Sequence, residues 1–223
     1  MTASSVADLP LVSGHVALDL VNTVEPRLPV AGRHEHLAAP DDVLAWARHV
    51  RLVDPAEAEA VAGAWAASPA SAERALIAVR QIREALAAVL SAHLGQADSS
   101  DMTPELEYLS ACWAAAAARS RLDLGAAGGA AARLSVGSSP ALLIPDRVAH
   151  AAVDLLCGTD LTHLAMCPVE DGGCGWLFLD GSRNRSRRWC TMAACGSFAK
   201  ARRLTERRRT ARSATGETEN TSS

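Results

Sequence analysis

Four cysteines, Cys167, Cys174, Cys190 and Cys195, fall close together near the C-terminus, with gaps of six, fifteen and four residues. Two close thiol pairs separated by a longer insert form a donor set for one Zn²⁺. A segment this short buries too little apolar surface to offset its chain entropy, whereas coordination can supply on the order of 10 kcal/mol. Gly175 and Gly196 each follow a cysteine and allow a tight turn, while Trp176, Phe178 and Leu204 are available for a miniature core. On the residues alone, four ordinary thiols or a disulfide pair remain as alternatives. Cys157 and His163 are rival ligands upstream. Cys157 is expected on the apolar face of a helix, His163 at the surface or in a cap, and Cys112 in the core beside Trp113. Four cysteines leave no open coordination position, so the expected metal is one structural zinc.

The insert between the cysteine pairs, and the stretch after them, carries the positive charge. From Arg183 to Arg212 there are eleven Lys and Arg against one acid, Glu206. The candidate nucleic-acid contacts are Arg183, Arg185, Arg187, Arg188, Lys200, Arg202, Arg203 and Arg207. Ser182, Asn184 and Ser186 alternate with the first arginines, a mixture suited to phosphates and sugars. Residues 1–165 hold 11 Arg against 19 Asp and Glu, net −8, and residues 166–223 hold 11 Lys and Arg against six acids, net +5. An acidic body with a basic end points to nucleic acid as partner. If some five of these side chains neutralise phosphates, log K should fall with log salt at a slope of roughly −4 to −5.

Other functions find less support. No nucleophile motif, phosphate-cradling glycine loop or carboxylate pair at telling spacing is present, and Gly125, Gly128 and Gly129 lack a following lysine. His34 and His36 flanking Glu35 form a weak acid/base candidate, so the chain is read as not an enzyme. No run of about 18 apolar residues suggests a membrane span. Asp8, with no basic cluster ahead of an apolar stretch, argues against a signal peptide. The expected location is the cytoplasm, with the nucleoid.

The elements that must position these residues are mainly helical. His15–Val24 places Val16, Leu20 and Val24 on one helical face, ended by Pro26 and Pro29, and residues 25–40 read as a loop. Asp41 is expected to cap the next helix, and Pro55 to open another through Ala58, Val61 and Trp65. A long helix over about 71–94 turns Leu76, Val79, Ile82, Leu86 and Leu90 inward and stops at Gly95. Pro104 starts a helix to Ala118. Alternation at Arg121–Leu124 and Ala132–Val136, across a glycine turn, predicts a β-hairpin. A helix over about 145–157 follows, then a short turn capped by Asp160. Phe198, Ala201 and Leu204 share one side of a last basic helix and are expected to pack on the metal core. Lys200, Arg203 and Arg207 form a separate stripe. The expected organisation is a helical domain over 1–165, a metal module over 166–212 and a disordered tail over 213–223.

The stretch from Cys174 to Cys190, with Cys195-Gly196 and Ala199-Lys200-Ala201-Arg202-Arg203, resembles the CGNR zinc-finger family. Ala17-Leu18-Asp19-Leu20-Val21-Asn22-Thr23 is similar to the start of the ABATE domain that accompanies this finger. The resemblance implies a bacterial-type transcriptional regulator with a C-terminal DNA-binding finger, and it implies Cys167, Cys174, Cys190 and Cys195 as zinc ligands. Two departures stand out. In Cys195-Gly196-Ser197-Phe198, Ser197-Phe198 replaces the Asn-Arg that closes the family's naming tetrapeptide, and the first cysteine gap is two residues longer than the family pattern. A longer loop adds little closure entropy, so coordination is expected to survive.

Three functions compete. The first is a DNA-binding regulator whose helical domain senses an unknown small-molecule effector or dimerises, with Asp19, Asn22 and Arg27 as candidate pocket residues or a mere polar cap. The second is an RNA-binding or protein-interaction module with a structural zinc, where an exposed Trp176 or Trp189 would stack on bases. The third, an enzyme, has the weakest support. A two-fold symmetric DNA site would require a homodimer, and no heptad seam advertises one.

Overall fold

A 25-residue helix, α4 (Pro69–His93), is the axis of the molecule. Its apolar residues recur every three or four positions, so Leu76, Val79, Ile82, Leu86 and Leu90 fall on one buried stripe. Pro69 opens it at a position where no intrahelical N–H is needed, and Gly95 at φ +66° ends it. The computed structural model describes residues 5–27, 33–96, 101–125 and 129–216, with side chains described as far as Arg207.

Around α4 pack α1 (Val16–Val21), α2 (Pro40–His49), α3 (Pro55–Ala67), α5 (Thr103–Ala118) and α6 (Leu143–Gly158). Asp54 and Glu57 cap α3 reciprocally, each carboxylate accepting the other residue's backbone N–H. Helix α2 begins at Pro40 with Ala39 as its cap. Asp42 rather than Asp41 reaches back to the Ala39 N–H, because Pro40 already takes the first helical position. Helix α1 is shorter than its apolar spacing implies. Asn22 ends it, and Val24 instead enters a two-residue strand, β1 (Val24–Glu25), paired antiparallel with β2 (His34–Glu35). The region expected to be pure loop thus contains a bridge, held by Glu35, whose carboxylate pairs with Arg83 on α4.

The expected hairpin is present as β3 (Arg121–Leu124) paired with β4 (Ala132–Ser135); its turn at 126–128 lies outside the described residues. Period-2 alternation puts Leu122, Leu124 and Leu134 on one face, and all three are exposed. Cys157, expected inward on α6, is exposed as well, and Cys112 is half-buried.

The metal module starts with β5 (Leu164–Met166), which crosses the expected boundary at 165 and pairs antiparallel with β6 (Leu177–Leu179). It ends in α7 (Ser197–Gly216), which continues past Arg212; residues 217–223 lie outside the described residues. The module has no separate miniature core. Trp176, Leu177 and Phe178 join the same buried cluster as Leu18, Leu20 and Leu155, so finger and helical domain share one interior.

Candidate metal centre and basic face

Cys167 follows β5 directly, Cys174 sits in the turn before β6, Cys190 follows the arginine loop, and Cys195 lies in a π-turn, Met192–Gly196, that leads into α7. The four Sγ atoms all lie within 4.8 Å of one another, with Cys174–Cys190 at 3.4 Å and Cys190–Cys195 at 3.5 Å. Zinc–thiolate bonds of about 2.3 Å at tetrahedral angles require sulfurs about 3.8 Å apart, which this set brackets. All six cysteines are free thiols, so no disulfide competes for the sulfurs. The donor set fits one structural zinc with every ligand position taken.

Backbone geometry explains why the long first gap closes. Gly172 and Gly175 adopt φ of +91° and +75°, where side chains are strained. At Gly173, a Cβ would stand 2.6 Å from the Pro168 carbonyl oxygen and 2.7 Å from Cys167 Sγ, so only glycine fits. Gly175 N–H donates to Cys167 O, and Cys167 N–H donates to Trp176 O, which locks the two thiols onto one turn. The crowded sulfurs also divide their protons unevenly. Contact with Cys174 and then Cys190 draws Cys167 down to about 2, while Cys167 pushes Cys174 far up and Cys190 up to about 12. Thiolates held this close repel one another, and a bound divalent cation would offset that repulsion.

The arginine loop is tied at both ends by one carboxylate. Asp180 Oδ1 accepts from Ser182 N–H at 2.8 Å and Oδ2 from Arg187 N–H at 2.9 Å; the Ser182 side chain first, and then these two backbone donors, hold its carboxyl below the usual range. Between those anchors Arg185 takes a left-handed φ of +49°, a strained conformation for a residue with a Cβ. Its guanidinium meets His163 Nε2, and His163 Nδ1 meets Asp180 O, so His163 braces the loop and does not join the sulfurs.

The eight basic candidates separate into two kinds. Arg187 is turned inward: its guanidinium donates to the carbonyls of Trp189, Leu179, Val12 and Cys190 and stacks over Phe178 at 4.3 Å. That residue fastens the finger and is withdrawn from the basic face. Arg183, Arg185, Arg188, Lys200, Arg202, Arg203 and Arg207 are exposed. Arg188 and Arg203 converge on Asp171, and Arg202 pairs with Glu206. These ion pairs close within the module, and none of them reaches an acid of the helical domain.

The finger is fastened to the domain by Asn22. Its side-chain amide donates to Leu177 O and accepts from Leu177 N–H, both at 2.9 Å, and Leu179 N–H donates to Ser13 O. Asn22 is thereby committed to holding the finger. Burial pushes the Asp19 carboxyl up, and Arg27 spends its guanidinium on Val21 O and Glu84. In the His34–Glu35–His36 acid/base candidate, the Glu35 carboxylate accepts two hydrogen bonds from Arg83 of α4. Trp176 and Trp189 are 4% and 7% exposed, so neither is open to a base. On α7 the expectation is reversed: Ala199 packs inward, while Phe198 and Leu204 point to solvent.

A helical domain carrying a docked four-cysteine finger is the class that this architecture defines. A family model for ABATE, described as "Putative stress-induced transcription regulator", matches residues 14–159, and a model for the CGNR zinc finger matches residues 163–208. The chain belongs to the ABATE family and carries a CGNR zinc finger. A search of curated proteins finds no match to it. Both descriptions are of regulatory or zinc-finger proteins, not of enzymes. Among the described residues no helix is long and apolar enough to cross a membrane.

Proposed function

We propose that this protein is a zinc-dependent, DNA-binding transcriptional regulator. Cys167, Cys174, Cys190 and Cys195 hold one Zn²⁺, and the ion folds the arginine loop and the start of α7 into a single basic face. Arg183, Arg185, Arg188, Lys200, Arg202, Arg203 and Arg207 contact phosphates. Arg187 acts indirectly, by holding the loop to the finger.

The observation that carries the reading is the confinement of seven exposed cations to one module docked on an acidic domain. Exposed ion pairs such as those of Asp171 and Glu206 contribute only about 0–1 kcal/mol each, so exchange of these partners for phosphates costs little. The burial of both finger tryptophans removes the specific support for an RNA-stacking module. Localisation with the nucleoid follows from the same contact. The test is a salt-titrated gel shift of the zinc-loaded protein on duplex DNA and on RNA. Duplex preference with a steep salt dependence supports the reading, and absence of duplex binding at low salt contradicts it.

A further inference from the structure

Among the described residues of the finger, Trp176, Phe178 and Trp189 are buried, whereas Phe198 is 62% exposed. Its position is nonetheless fixed. A Cβ built on Gly172 would lie 3.4 Å from Cδ1 and Cε1 of the Phe198 ring and 3.5 Å from Arg202 Nη1. The ring edge and the Arg202 guanidinium therefore both rest against the same glycine of the cysteine turn. Asp171, the preceding residue, draws in Arg188 and Arg203. A seated and largely exposed aromatic ring thus lies beside Arg202, next to the residue whose carboxylate gathers Arg188 and Arg203.

An exposed ring held beside a guanidinium suits a partner that offers both an apolar face and negative charge. A nucleobase fits both requirements, because it offers a π-face while its own phosphates meet the surrounding charges. We infer that Phe198 is a stacking platform for a base displaced from the duplex stack, a role resting on the DNA-binding reading above. The ring inserts at a base step or receives an unstacked base, and Arg188, Arg202 and Arg203 hold the flanking phosphates.

The full zinc-loaded chain can be tested on a random-sequence duplex with 2-aminopurine placed at successive positions. The expected result is a rise in 2-aminopurine emission on binding, lost in Phe198→Ala together with about tenfold in affinity. The salt slope of Phe198→Ala should stay that of the parent, because no phosphate contact is removed. Phe198→Trp should retain binding, and Phe198→Arg should steepen the salt slope by about 0.9 without restoring the emission change. Unchanged zinc content in each variant shows that the finger remains folded. Equal affinity and equal emission for Phe198→Ala and parent would overturn the inference while leaving DNA binding intact. A Phe198→Ala effect on self-association alone would overturn it too. Failure of the parent to bind any duplex would remove this inference and the functional reading together.

Discussion

The side chain of Asn22, at the end of α1, exchanges two hydrogen bonds of 2.9 Å with the backbone of Leu177, in the first residue of the finger's inner strand. One amide thereby replaces the ladder partner that an edge strand would otherwise lack. Asn22 is 4% exposed, so water cannot substitute for it. Asn22→Ala should cost about 1–3 kcal/mol, seen as a lower unfolding midpoint. Zinc content should remain one per chain, while hydrogen exchange at the Leu177 amide accelerates. An unchanged exchange rate would contradict this account of docking.

Arg187 and Arg183 are neighbours in composition but not in role. Arg187→Ala should loosen the loop, lower zinc affinity and leave four carbonyls without their donor. Arg183→Ala should leave zinc affinity and unfolding untouched, and reduce the magnitude of the salt slope on duplex DNA by about 0.9. Zinc competition with a chromophoric chelator, run beside the salt titration, separates the two.

A buried ion network predicts how the helical domain responds to acid. Burial pushes the Glu35 and Glu84 carboxyls up, but Arg83 outweighs it at Glu35 and Arg27 at Glu84, so both end below their ordinary value. A lowered folded-state pKa means that the contribution is fully present above the ordinary glutamate range and lost as pH falls through the lowered folded value. Stability should therefore be flat from neutrality to about pH 5 and fall below it. Glu35→Gln should flatten that fall, as measured by chemical denaturation across the range. An equally steep acid loss in the variant would show that other groups carry it.

Much of this molecule is legible in its residues, and the failures have physical causes. The stripe of Leu76, Val79, Ile82, Leu86 and Leu90 reads directly as α4, because a long helix repeats its period often enough to be unambiguous. The hairpin is visible from alternation, and the thiol cluster from cysteine spacing. Val24 misled because a single residue at helical spacing cannot reveal that the chain has turned into a strand. Phe198 and Leu204 misled because apolarity does not say which face a helix presents; small Ala199 fits the closer approach. Arg187 and Arg183 are indistinguishable by type, since only the folded loop shows which carbonyls stand nearby. Asp180 was readable in part, because Asp-Gly-Ser is turn chemistry in which the carboxylate accepts a backbone N–H two residues on. The Asn22–Leu177 contact joins residues 155 positions apart, and no local pattern announces it.

Removal of the metal should act on the finger before the domain. Cys190→Ser should reduce bound zinc well below one per chain and leave the arginine loop unfolded, while the helical signal of α4 and its neighbours largely persists. Circular dichroism with zinc analysis reads both. A variant that keeps stoichiometric zinc would exclude Cys190 as a ligand.

The most direct measurement is the salt dependence of duplex DNA binding by one preparation, with zinc bound and after its removal by a chelator. A slope of log K against log salt of roughly −4 to −5 is expected for the zinc-loaded protein, and weak binding, regained on zinc addition, for the stripped one. Equal affinity and slope in both states would contradict the claim that the metal assembles the basic face.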